Sequence, residues 1–170
     1  MALLLGRLGE LIQDQSARLR GWQVMESAMA AAALVACPDG KVSLARRVAL
    51  DRLLTSRDEF KPFGLHEAIN LFTGFAREIH ARPERGRGRA LRVVAGCGGD
   101  PKAARLVMEV ASTLGEAEGG WSPGDVARIE ELSRTLGLPA PGPGAEDLRP
   151  SAAAGPRARV IALGNAKGGT

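Results

Sequence analysis

Three carboxylates, Glu116, Glu118 and Asp125, fall within ten residues of one another. Calcium takes roughly six to eight oxygen ligands, mostly from carboxylates and carbonyls, so this stretch could begin a divalent-cation site. Its spacing is not that of an EF-hand loop. The same residues have a plainer reading. Asp125 stands three positions after Ser122, where an acid closes a capping box and meets the positive end of a helix; Glu116 and Glu118 are then solvated loop charges. Cys37 and Cys97 are sixty residues apart in small, apolar surroundings, which suits buried free thiols rather than a disulfide framework or a zinc site. His66 and His80 each stand on a helical stretch with no Cys or His at ligand spacing, and capping or surface roles are expected for both. No Ser-His-Asp set, Cys-His set or pair of buried carboxylates can be assembled from these residues, so the chain is not expected to be an enzyme.

The elements that must position these residues read as helices. Hydrophobic residues make up 45% of the chain, mostly Ala, Leu and Val, with no Tyr and only 4% aromatics. Ala and Leu favour helix, whereas a sandwich or barrel needs more β-branched and aromatic residues. A first helix is predicted over residues 3–20 and a second, Ala-rich core helix over 22–37. Pro38-Asp39-Gly40-Lys41 turns the chain, and Ser43 caps a helix over 44–56. Residues 61–64 break it, and 65–81 carry an apolar stripe at helical spacing. Residues 83–88 are expected as a basic turn before a shorter helix over 89–97. Asp100-Pro101 and Ser122-Pro123 each have the cap-then-proline signature of a helix start, and Gly137 stops the last helix. Residues 139–157, rich in Pro, Gly and Ala, are expected as a flexible linker. Residues 159–164 (RVIALG) read as a buried β-strand. The predicted organisation is an N-terminal helix over 1–20, an all-α domain over 21–138, the linker, and a separate segment over 158–170.

The formal net charge of +4 is modest. Arg82, Arg85, Arg87, Arg89 and Arg92 make a local basic patch, but no aromatics are interleaved to stack bases, and no nucleic-acid partner is expected. The apolar run 28–37 is too short to span a bilayer and has no signal-peptide character, so a cytoplasmic protein is expected. Residues 1–13 are amphipathic, with Leu4, Leu8, Leu11 and Ile12 on one face. They could lie on a membrane surface or meet a partner helix, or simply begin the bundle.

The chain also echoes itself. Residues 34–43 and 113–122 each run from an apolar helix through acid-Gly and a spacer to a large apolar residue (Val42 or Trp121), then to a Ser N-cap. Two such helix–turn–helix units suggest a pseudo-symmetric bundle. The stretches ALVACPDGKVS, GGDPKAARLVMEVAST and EGGWSPGDVARIEELSRTLGL, in that order and spacing, resemble the TerB family of tellurite resistance over about residues 21–138. The resemblance implies a compact helical bundle, a role in tellurite and other chemical stress, acidic clusters that bind a divalent cation such as Ca2+, and protein partners for a module that acts as scaffold or sensor without catalysis. In that family the acid of each turn works with acids in the first turn of the next helix. Asp39 matches the first acid, but Ala45, Arg46 and Arg47 stand where its partners should be, and two cations there repel a dication. Glu116, Glu118 and Asp125 are the better-equipped second set.

The last residues, VIALGNAKGGT, resemble the start of a ParA/MipZ-type ATPase, in which a strand enters a deviant Walker A loop. By that resemblance Lys167 is the signature lysine and Gly168 and Gly169 belong to the phosphate loop. The Gly-Lys-Ser/Thr that would hold the phosphates is not present before Thr170, so this segment is expected to be the truncated start of the motif and the chain alone is not expected to bind ATP. A TerB-like binding or scaffold module is the expected function; the alternative is the N-terminal regulatory extension of a ParA/MipZ-like ATPase.

Overall fold

A computed structural model describes residues 2–139. The predicted strand and the Lys167-Gly168-Gly169 loop lie outside the described residues. Within them the chain is all helical: α1 (Ala2–Ala36), α2 (Leu44–Ser56), a 3-10 turn (Lys61–Phe63), α3 (Leu65–Ala81), α4 (Pro83–Ala95), α5 (Pro101–Glu116) and α6 (Pro123–Leu136).

α1 is the axis. Its second half is alanine-rich and apolar on every side, and Ala28 to Ala36 is buried without a break, as a helix apolar all round must be. α3, α4 and α5 pack around it, and α6 closes the remaining side. Alanine presents little volume, so the surrounding helices supply the bulk, with Phe72 and Phe75 from α3, Val107, Val110 and Leu114 from α5, and Ile129 and Leu132 from α6. α2 is the least embraced helix. It leans on α5 and barely touches α3.

The helix starts follow the predicted chemistry. The Ser43 hydroxyl accepts from the Arg46 amide at 3.3 Å, the Asp100 carboxylate accepts from Lys102 and Ala103, and Ser122 and Asp125 form a reciprocal capping box. Gly137 ends α6 in the left-handed region at φ 69°, where glycine is free of the side-chain penalty.

Two expectations need correction. The helices predicted over 3–20 and 22–37 are one helix of 35 residues, running through Gly21. Gly21 serves packing there, because a Cβ would stand 2.8 Å from the Phe63 ring, which also meets Trp22 edge-on at 5.8 Å. The basic turn predicted over 83–88 is helical and forms the first turns of α4. Pro83 opens the helix, and Gly86 is buried against the backbone of Ile79, which a Cβ would approach to 2.6 Å. That close approach offsets the intrinsic cost of glycine in a helix.

Candidate functional site

The end of α1, the turn before α6 and the first turn of α6 meet through one side chain. Arg46, in the first turn of α2, falls on the same helical face as Leu50, Leu53 and Leu54 and is buried with them. Its guanidinium reaches three elements. One Nη donates to the Val35 carbonyl at 2.6 Å, near the C-terminal end of α1, where the last carbonyls lack helical partners. The other donates to both carboxylate oxygens of Asp125 at 3.0 Å and lies 3.3 Å from Glu118. Arg46 is 4% exposed and Asp125 1% exposed. They are the only charged side chains buried among the described residues.

Asp125 is held from its other side by Ser122, whose amide donates at 3.0 Å and whose hydroxyl lies 2.6 Å away. Burial by itself raises the carboxyl's pKa; the hydrogen bonds from Ser122 and the charge and hydrogen bond of Arg46 outweigh it, so the group titrates below the ordinary aspartate range. Asp125 is therefore ionised at neutral pH, while the Nε of Arg46 is buried without a hydrogen-bond partner. Glu118, 45% exposed, completes the cluster at the solvent edge.

The four predicted cation ligands are dispersed. Glu118 and Asp125 share Arg46, but Glu116 faces the furrow between α2 and α5, and Asp39 lies by a shallow cavity with Arg87 and Arg128. Among the described residues no group of three or more His, Cys, Asp or Glu side chains could hold one ion. The two carboxylates that remain together, Glu118 and Asp125, are both engaged by a single Nη of Arg46.

No protein-family model, no curated protein and no solved structure matches this chain. Two free thiols lie in the core beside and beyond the Arg46 cluster. Burial pushes the Cys37 thiol up against the opposing charges of Arg46 and Arg47. Burial also raises Cys97, opposed by its hydrogen bond with Ser27 and helped by Asp100. Neither thiol has the exposed, electropositive setting of a nucleophile. His66 and His80 lie on the surface of α3. Among the described residues no helix is long and apolar enough to cross a membrane.

Exposed apolar side chains stand in two places, on the N-terminal half of α1 at Leu11, Ile12 and Leu19 and around α2. A furrow runs on each of its sides, one toward α3 and one toward α5. Leu44, Val48, Leu65 and Ile69 are exposed nearby. The patterning of α2 explains this. With Arg46, Leu50, Leu53 and Leu54 turned inward, Leu44 and Val48 are left facing solvent. In the sequence Arg46 stands with Arg47 as a cation that repels a dication from Asp39. The signal that distinguishes it from Arg47 was its place on the Leu50–Leu53–Leu54 stripe, at intervals of four, three and one.

Proposed function

We propose that this chain is a TerB-like, non-catalytic binding module of the tellurite and chemical stress response. Its two helix–turn–helix units form a pseudo-repeated bundle that takes protein partners. One observation carries the reading. The buried charge of the bundle is consumed internally by Arg46 and Asp125, whereas furrows flank α2 and exposed apolar side chains stand both beside them and on the N-terminal half of α1. A structure arranged in this way is suited to recognition rather than bond-making. A divalent cation belongs to this function only as a weak competitor of Arg46 for Glu118 and Asp125.

The test is genetic. Deleting the coding region should lower the tellurite concentration the host survives, and the full chain supplied in trans should restore it. Unchanged survival under tellurite and under other chemical stress would overturn the stress role.

A second reading rests on VIALGNAKGGT and the Pro/Gly/Ala-rich stretch before it: the bundle as N-terminal extension of a ParA/MipZ-like ATPase. Sequencing the gene past codon 170 decides it. An in-frame Gly-Lys-Ser/Thr leading into an ATPase domain supports this reading, and a stop codon removes it.

A further inference from the structure

The furrow between α2 and α3 differs from the other cavities in its charge. Its floor is apolar, made by Leu50 and Phe72, both buried, with Val42 and Ala76 half-buried beside them. Ile69, 37% exposed, stands on its edge. The rim is cationic. Lys41 and Arg47 come from the α2 side and Arg77 and His80 from the α3 side, against one carboxylate, Asp51. All five are exposed. Lys41, Arg47 and Arg77, like Arg52 and Arg105 elsewhere on the surface, form no ion pair with a described residue.

The layout is polar along its length. Gly40, just before α2, meets His80 near the end of α3, so the start of α2 lies beside the end of α3. At that end Gly40, at φ 75°, packs directly on the His80 ring, which occupies the place of a Cβ. Lys41, Arg47 and Arg77 line the furrow on this side, Asp51 follows one turn after Arg47, and Ile69 lies furthest along α3 from His80. From Ile69 to His80 the helical rise is about 16 Å, or about three turns.

We propose that this furrow is a docking groove for an amphipathic helix of about three turns, apolar on one face and acidic at one end. The acidic end lies at Lys41, Arg47 and Arg77, and the apolar face lies over Leu50, Phe72 and Ile69. The physical basis is the helix-in-groove mode, in which an apolar face fills a hydrophobic trough and charge complementarity fixes orientation and suppresses wrong partners. Unpaired cations around a part-exposed apolar floor fit an occupant that supplies both missing halves. The groove's role rests on the binding-module reading.

The probe is a synthetic helical peptide of about twelve residues with a leucine face and a run of three glutamates at one end, titrated into the full chain and followed by amide NMR. Saturable shifts confined to residues 40–51 and 69–80 are expected, with the glutamate end nearest residue 41 when that terminus is spin-labelled. The double variant Arg47→Glu/Arg77→Glu, and separately Ile69→Glu, should weaken binding by about tenfold or more while circular dichroism stays unchanged, since these side chains are exposed. Equal binding of a peptide whose leucines are serines would reduce the groove to a charged patch and overturn the proposal. So would shifts centred on α5, binding that survives both variants, binding to anionic lipid vesicles in preference to the peptide, or no binding. Because survival under tellurite is read separately, a failed groove and a failed stress role leave different records.

Discussion

Replacing Arg46 by Met should be among the most damaging single changes in the bundle. Met keeps the length and apolar stem but removes the guanidinium, leaving Asp125 buried and charged, and the Val35 carbonyl without its donor. Removing one partner of a buried, hydrogen-bonded pair costs about 3–5 kcal/mol. Ser122 still donates to Asp125, and the pair with half-exposed Glu118 contributes at most about 1 kcal/mol, so the expected loss lies near the lower bound, about 3 kcal/mol. For a domain of this size that is a fall of about 10 °C in melting temperature. Urea unfolding followed at 222 nm measures it. The pH dependence supplies a second check. Asp125 has a folded pKa below its unfolded value of about 3.9. Its contribution is therefore fully present above about pH 4 and is lost as pH falls through the folded value. Without Arg46, burial is opposed by Ser122 alone, the folded pKa rises, and the gap between wild type and variant should narrow below about pH 4. Asp125→Asn should cost a similar amount, and the double variant should lose less than the sum by about 2 kcal/mol. A loss under about 1 kcal/mol for Arg46→Met, or strict additivity in the double variant, refutes the picture of a coupled buried pair.

Gly86→Ala should destabilise the bundle by about 2 kcal/mol despite alanine's better helix propensity, because the obstruction is the Ile79 backbone; a urea midpoint at or above wild type would show that α3 and α4 can separate freely. Cys37 and Cys97, both held up by burial, should react slowly with a chromogenic disulfide at pH 8 in the native protein and promptly in urea, a ratio read directly from stopped-flow traces. Calcium at about millimolar concentration should give no saturable amide shifts over residues 116–125. Shifts that vanish in Glu118→Gln would instead mean that the ion displaces the Arg46 guanidinium.

The helix boundaries were legible wherever chemistry is local. Ser43, Asp100 and Ser122 announce helix starts because a cap needs only the next three residues, and Gly137 announces a stop for the same reason. Gly21 and residues 83–88 misled for a shared cause: tertiary packing against Phe63 and Ile79 overrides the breaking tendency of glycine and is invisible along the chain. The Arg46–Asp125 pair spans 79 residues and was not legible as a contact. Asp125 was legible as a capping acid, and Arg46 showed its burial only through helical phase. The grooves beside α2 follow from how loosely α2 sits between α3 and α5, and no local pattern encodes that spacing.

The alanine axis of α1 reverses the usual mutational hazard of a core. Most interiors fail when a large side chain is trimmed and a void opens. From Ala30 to Ala33 every side chain is already minimal and fully enclosed, so trimming removes almost nothing, whereas each added carbon must push a neighbouring helix outward. A saturation scan should therefore find a narrow corridor along this stretch. Glycine would be penalised mainly for backbone freedom, serine would be tolerated where its hydroxyl can bond back along the helix, and leucine or phenylalanine would be excluded. The sequence space open to this bundle is bounded from above by volume, and variation in its interior must come from the helices that surround the axis.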